Sequence, residues 1–569
     1  MKSIFSILIV LYSLFLLSCS DDFLTTPPKG QANEDLLLNS EGIDKLLIGV
    51  YAVVDGVHGE TGIGKWSSSV SNWVFGGVSS DDAYKGTVFG DQNQINPIEG
   101  FYVDATNQYV ANHWKPFYDG ISRANDLLNK LVQVELPESE RIHVEAQVKF
   151  LRAHFYVELT RVHGPVPYID ENTEDPSLVP NDHFVWPEIE KDLLFAAEHL
   201  PHRQTDLGRP TKWSAITYLG YVKLLQNKHS EAKPYLDDVF ENGGYVLMPS
   251  YEQNYLIAYN NNQESIFEIQ CTVNDGYSYD NPYGDTPNGC AGDSLLGMTF
   301  MGGSGFYQPS HNLVSSFRVG EDGLPLLFDE YSVDDILPYD PEGKNVLYND
   351  PVDPRLDHTI GRPGVPFLDW GVQEGHSWIR DPSNGGPYIN KKPMFLKSEE
   401  GSYSNTSGRT FPNANNYRKF KLSHVILWLA ECEVEEGNLT RAAELVNLLR
   451  NRAKQSNVVT FEDGTPAANY LVEPYKVPFP NQDYARRAVR HEHRLELSME
   501  GYRFYDLVRW GVASDVINTF LQVDGTRMGH LRGAYFTEGQ NELWPIPQTQ
   551  IDITLDRNGQ QILIQNPGY

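Results

Sequence analysis

The chain has 569 residues, with 76 acidic and 45 basic side chains and a formal net charge of −31. That balance argues against a nucleic-acid or anionic-lipid face, because phosphate contact needs a basic patch. It favours neutral or cationic partners and a well-solvated surface, while the length permits a large core and the 12% aromatic content is rich for a soluble protein.

The N-terminus carries Lys2 and then an almost wholly apolar run from Ile4 to Leu17. This run is shorter than the roughly 20 residues a membrane span needs, so it reads as the hydrophobic part of a secretory signal. It stops at Ser18-Cys19, a small residue before a cysteine, which is what a lipoprotein signal peptidase cleaves. On this reading residues 1–18 are removed and Cys19 becomes a lipidated N-terminus; an ordinary secretory signal with an incidental cysteine is the alternative. Each buried acyl CH₂ adds about 0.8 kcal/mol, and more than one chain gives stable anchoring. Residues 19–33, polar and carrying Pro27, Pro28 and Gly30, then form a flexible tether. No other stretch is long and apolar enough to span a bilayer, so the expectation is a soluble body on a lipid tether.

Residues 34–245 read mainly as amphipathic helices. Trp114, Phe117, Ile121, Leu128 and Leu131 recur at spacings of three, four and seven, as do Val144, Val148, Leu151, Phe155 and Leu159. The second helix is expected to stop at Gly164-Pro165, a cap glycine followed by a residue that cannot continue a helix. Two helices at Trp213–Asn227 and Ser230–Asn242 are joined by a very short turn, with small residues at their contacts. A similar pair is expected at Val425–Glu436 and Arg441–Lys454, and a further helix from Tyr484 to Met499. Helical hairpins on this scale resemble degenerate tetratricopeptide units. Trp114, Trp186, Trp213 and Trp428 fall on helical faces or helix starts and read as scaffold.

Between residues 246 and 411 Gly, Pro, Asn and Asp punctuate the chain densely, which fits a loop-rich, partly β insertion. Residues 412–569 return to helices and end in turns and short strands. The expected fold is therefore mainly α: a helical hairpin scaffold from both ends of the chain around a large irregular loop/β subdomain. Of the cysteines after Cys19, Cys271 and Cys290 can bridge a loop in an oxidising compartment, and Cys432 lies in a helical pattern as a small buried hydrophobe.

Catalytic patterns do not emerge. Gly292–Gly297 (GDSLLG) looks like a hydrolase signature but lies mid-chain in a loop instead of after a first strand. His491 and His493 are two apart and cannot share a helix face. No Cys/His metal spacing and no phosphate-cradling loop is present. A structural Ca²⁺ among the loop acids is an option the sequence does not place.

An ordered set of motifs resembles the SusD/RagB family of outer-membrane lipoproteins across nearly the whole chain. It runs from the lipoprotein signal to VSSDDAY at Val78–Tyr84, W-x-x-x-Y-x-x-I-x-x-A-N at Trp114–Asn125 and KFLRAHFYVELTRVHGPVPY at Lys149–Tyr168. GRPTKWSA at Gly208–Ala215, DPRL at Asp353–Leu356, HEHRLELSMEGYRFYDLVRWG at His491–Gly511, LWPIPQTQI at Leu543–Ile551 and QNPGY at Gln565–Tyr569 follow. His493 departs from the family pattern, where Arg is usual. The resemblance implies a non-enzymatic protein on the outer face of the outer membrane. Such a protein caps a SusC-like TonB-dependent transporter as a hinged lid and delivers oligosaccharides or, in the alternative, peptides. Asp21 and Asp22 then look like the acidic signal that sends such lipoproteins to the cell surface.

Sugars are held by aromatic faces, with carboxylates, amides and Arg reading the hydroxyls in a concave site, and loops are the place to seek them. The candidates are Trp66, Trp73, Asp81, Asp82 and Tyr84 in one Gly/Ser-rich stretch, Phe101 and Tyr102 in the next loop, Tyr277 and Tyr283 among Asn, Asp and Gly, and Arg362, Trp370 and Trp378 further on. Core packing is the competing role for each ring. The Arg/Glu alternation from Arg490 to Arg509 reads as structural pairing.

Overall fold

The computed structural model describes residues 37–56, 64–273, 293, 296, 302–327, 332, 348–404 and 411–569. Cys19 and its tether, Tyr277, Tyr283 and Cys290 lie outside the described residues.

Local signals set the helices. Helix α1 (Ser40–Tyr51) starts where the Asn39 side chain accepts the Gly42 N–H, and α2 (Gln108–Leu131) where Asn107 accepts the Tyr109 N–H. α2 buries Trp114, Phe117, Ile121, Leu128 and Leu131, as their spacing predicts. α3 (Glu138–His163) ends at Gly164, whose φ of 72° is open to a residue without Cβ. From Phe150 to His163 α3 is buried on every side, which makes it a central helix. α4 (Trp186–His199) follows, then α5 (Lys212–Leu225), opened by a reciprocal Thr211–Ser214 cap. α5 and α6 (His229–Asn242) approach so closely that a Cβ on Gly220 would lie 2.6 Å from Leu236 Cδ2.

The C-terminal part supplies α7 (Leu422–Glu435), α8 (Leu439–Gln455), α9 (Gln482–Leu497), α10 (Arg503–Arg509) and α11 (Ala513–Asp524). α9 stops two residues earlier than its sequence pattern suggests, just before Met499 turns the chain at φ 63°. Successive helices from α2 to α6 pack side by side, α7 packs on α6, and α8 and α9 pack on α7. The hairpin scaffold is thus assembled from both ends of the chain.

Among the described residues the sheet consists of three two-stranded antiparallel pairs. β1 (Ala83–Gly86) pairs with β3 (Phe306–Pro309), β2 (Ser265–Ile269) with β6 (Tyr417–Lys421), and β4 (Ile360–Gly361) with β5 (Ile389–Asn390). Two of these pairs stitch the insertion to the scaffold, one on each side. Two apolar clusters result. One fills the helical array; the other lies under the irregular half and draws on residues from Trp73 to Trp544. Cys271 is held in a disulfide and Cys432 is a free, buried thiol.

The two halves are joined by buried charges. Arg355, fully buried, donates from Nε and Nη2 to Asp353 at 3.0 and 2.8 Å, and its Nη1 lies 2.7 Å from Glu492 and 3.1 Å from Glu496. Arg450 and Arg452 on α8 bind the same two glutamates, and Lys392 and Lys421 bind Glu500. The acids of the C-terminal signature therefore pair outward to the insertion and to α8. Arg509 of α10 in turn binds Glu431 of α7. His493 sits between Glu431 and Asp506, at 3.7 and 3.9 Å, but Arg509 binds both carboxylates.

Burial disfavours the Glu496 anion, yet Arg452 and Arg355 outweigh burial and hold its carboxyl at about 2, against an ordinary 4.5. A value depressed in the folded state contributes stability that is present above the unfolded value and is lost as pH falls through the folded one. Denaturant unfolding at a series of pH values is expected to show stability declining between pH 4.5 and about 2. Glu496→Gln should flatten that decline and, by leaving Arg355 and Arg452 short of a partner, cost about 3–5 kcal/mol at pH 7.

Candidate functional site

Most of the rings and acids that the sequence offers as ligand contacts are interior. Trp73 is fully buried in a π-helical turn over Trp73–Val78, against Phe306 and Tyr307 at 5.7 and 6.3 Å. Asp81 accepts two hydrogen bonds from Arg503, and Asp82 accepts one from Arg494. Burial opposes the Asp81 charge, but Arg494 and Arg503 overcome it and keep the carboxyl at about 2. Tyr84 donates to Asp524 and accepts the His311 N–H. Arg362 is bidentate on Asp357 at 2.7 and 2.7 Å, and Trp378 packs edge-on to Phe367. Phe101 lies under the surface, stacked on Trp544 and edge-on to Phe536. For these seven residues the expectation of a ligand-facing side chain is corrected: their surfaces are spent on the core or on ion pairs.

The remaining described candidates keep some exposure. Tyr102 is 63% exposed. Trp66 is half-buried on the second apolar cluster. Trp370 is half-buried as well; its Nε1 donates to the Phe395 carbonyl at 3.0 Å and Lys397 Nζ stands 6.0 Å from its ring. It belongs to a separate flank, where Asp369 accepts the Lys397 and Ser398 N–H groups.

Around Tyr102 three stretches from distant parts of the chain converge. After β1 the loop curls over Lys85, whose buried ammonium donates to the carbonyls of Val88, Phe89 and Asp91 at 3.3, 2.9 and 3.0 Å. Burial lowers its pKa to about 8 despite Glu99 and Asp91. Arg380 reaches in from the insertion and donates to Thr87 Oγ1 at 2.8 Å and to Asp91 Oδ2 at 2.5 Å, and Asn384 donates to the Gly86 carbonyl at 2.8 Å. From the C-terminal side His530 meets Glu99 at 3.1 Å, and Phe536 packs on Phe101 with ring centroids 5.1 Å apart. Phe101 takes φ 60°, and its ring goes inward while that of the next residue, Tyr102, stays in solvent.

The surface that results has rings at Phe89, Tyr102 and Tyr535, exposed by 53, 63 and 63%. Ionic side chains at Arg380, Asp91, Glu99 and His530 lie between the loops that carry them. Beside Tyr535 a groove of about 620 Å³ runs along the end of α11, lined by Asn518, Gln522, Thr526 and Arg532. Sequence reasoning does not single out Phe89, which stands alone among residues of mixed character, or Tyr535, which sits beside the buried ring of Phe536. The one available signal was their place in short turn-rich stretches (GTVFGD and RGAYFTEG) next to motif residues. Among the described residues no group of three or more His, Cys, Asp or Glu side chains is arranged to hold a metal ion. No described helix is long and apolar enough to cross a membrane.

Comparison with known proteins is consistent along the chain. A profile described as the SusD family matches residues 263–569, and one described as starch-binding associating with outer membrane matches residues 22–224. A SusD-like protein of Bacteroides ovatus is 30% identical over 191 residues, which span 30% of this chain and 34% of that protein. SusD-like protein P25 of Formosa agariphila is 20% identical over 546 residues, covering 90% of each chain. Among solved structures, a laminarin-binding SusD-like protein superposes with a TM-score of 0.65 at 24% identity, covering 93% of this chain and 100% of its own. Surface glycan-binding protein A of Bacteroides thetaiotaomicron, solved in complex with laminarihexaose, superposes with a TM-score of 0.67 at 20% identity, covering 93% and 99%. The first profile alone spans more than half of the sequence, and the chain belongs to the SusD family.

Proposed function

We propose that the protein is a cell-surface lipoprotein, lipidated at Cys19, that binds oligosaccharides and hands them to a SusC-like TonB-dependent transporter without chemistry of its own. The observation that carries this reading is the exposure of Tyr102 and Tyr535 on loops that ion pairs and buried rings hold together. The C–H face of a pyranose is apolar and stacks on a ring, while amides and Arg in the adjoining groove suit its hydroxyls. Rings presented by a fixed floor lose little conformational freedom on binding. Two solved proteins of this fold are described as binding laminarin or holding laminarihexaose, which supports a glycan as the ligand class. The description of the matching N-terminal profile, associating with outer membrane, supports the location, and the signal ending at Cys19 supports the anchor.

Rings that anchor a ligand lose about 2 kcal/mol or more on truncation. Tyr102→Ala and Tyr535→Ala are therefore each expected to weaken oligosaccharide binding at least about tenfold. Exposed positions of this kind change stability by no more than about 0.5 kcal/mol. Calorimetric titration against a glycan panel that includes laminarihexaose, with unfolding curves alongside, checks both. Undiminished affinity in the double variant, or steady release of reducing ends by the pure protein, rejects the reading.

Cys19→Ser should abolish labelling by palmitate in cells and move the protein out of the membrane fraction. Retention of both would place the anchor elsewhere.

A further inference from the structure

On the other side of α11 from the groove beside Tyr535, and sharing Gln522 with it, a cavity of about 690 Å³ opens between α9, α10, α11 and the short helix His311–Ser316. Its floor is electrically closed. Arg503 donates to both Asp81 carboxylate oxygens at 2.8 and 3.0 Å, and Arg494 donates to Asp82 at 2.9 Å and to Asn312 at 2.6 Å. Its wall is not. Arg490, one turn before Arg494 on α9, is half-buried and makes no hydrogen bond or ion pair among the described residues. Its guanidinium stands 5.1 Å from the centroid of the Trp510 ring. The two carboxylates that act on it are already engaged, Glu431 by Arg509 and Glu435 by Arg486. Burial, the largest influence on Arg490, disfavours its charge. His491 adds no charge, since burial keeps its ring neutral with a pKa of about 3 while it contacts the Ser316 carbonyl. Among the described residues, Asp515, exposed at the rim, is the other acid in the lining besides Asp81.

A half-desolvated Arg whose neighbouring carboxylates, Glu431 and Glu435, are already paired to other arginines is unusual in a chain of net charge −31, because a further carboxylate would relieve it. Contact with the Trp510 ring, which Arg509 also approaches at 5.0 Å, restrains the planar fork, which suits two-point recognition of a carboxylate or sulfate. Thr519, Gln522 and Ser316 supply hydroxyl and amide groups to the same cavity. Its volume falls within the about 300–1,000 Å³ typical of small-ligand sites, and its concavity suits a saccharide better than a protein face. We propose that this cavity is a second saccharide site, selective for a glycan unit that carries a carboxylate or sulfate group, with Arg490 reading the anion. The proposal rests on the reading of the protein as a saccharide binder and adds a place and a charge class to it.

The test is calorimetric titration of the mature chain with three probes: a trimer of galacturonic acid, a sulfated galactose tetrasaccharide and neutral laminarihexaose. At least one anionic probe is expected to bind, and to bind more weakly at about 0.5 M salt. Arg490→Gln should weaken that binding about tenfold or more, the scale of a lost charge-assisted bond. Arg490→Lys, which keeps the charge but not the planar fork, should recover part of it. Neither variant should alter the affinity for laminarihexaose, whereas Tyr102→Ala should alter that affinity and spare the anionic probe. If Arg490→Gln does not fold, the lysine variant and the salt dependence still decide. Anionic probes that do not bind, or that bind both Arg490 variants as tightly as the native chain, overturn the proposal. If laminarihexaose still binds in that case, the reading of the protein as a glycan binder stands without the second site; if no saccharide binds, both fall.

Discussion

Three glutamates in a row of turns, Glu492, Glu496 and Glu500, are shut away from water along and just beyond α9. A buried carboxylate persists only where cations and hydrogen bonds replace its hydration, and here those cations come from everywhere else. Arg355 and Lys392 belong to the irregular insertion, Arg450 and Arg452 to α8, and Lys421 to β6. Each pair fixes the position of one part of the chain against another, because withdrawing any partner leaves a charge stranded in low dielectric. Tyr251 and Tyr255 close around Lys392 at 5.4 and 4.4 Å and add ring faces to the same cation.

The network extends to the surface that we assign to ligands. Arg494 and Arg503 grip Asp81 and Asp82 immediately before β1, and β1 in turn leads into the loop that carries Phe89 and, beyond the helical turns at Asn93–Glu99, into the one that carries Tyr102. The loop itself is then stiffened by one buried ammonium, Lys85, against three backbone carbonyls. Beneath it the rings of Phe536, Phe101, Trp544 and Phe75 pack in succession, with neighbouring centroids 5.1, 6.1 and 5.6 Å apart. The surface therefore has two storeys of aromatics: a lower one that is core, and an upper one of Phe89, Tyr102 and Tyr535 that meets solvent. The lower storey lets a site made of loops keep its shape, since packed rings at such distances leave few alternative arrangements.

Much of the scaffold could be read directly. The stop at Gly164 and the close contact of α5 and α6 through small residues each follow from a few neighbouring residues, within one or two turns of helix. The assignment of rings to core or surface could not. The stretch around Trp73 has the Gly and Ser content of an exposed loop, yet it is a buried turn because Phe306 and Tyr307, more than two hundred residues away, cover it. Asp81 reads as a hydroxyl reader until Arg503 is placed beside it. Phe101 and Tyr102 are neighbours of similar character, but one points inward and the other outward, as the backbone at φ 60° and the position of Phe536 dictate.

Taken alone, the order of residues determined the helical pairing, the irregular middle of the chain and the family, because caps, apolar spacing and motif order are local properties. Tertiary structure alone decided which aromatic faces meet water, which acids are neutralised, and that Arg490 is not. Those outcomes depend on which distant side chain occupies the adjoining volume, and no window of sequence contains both partners.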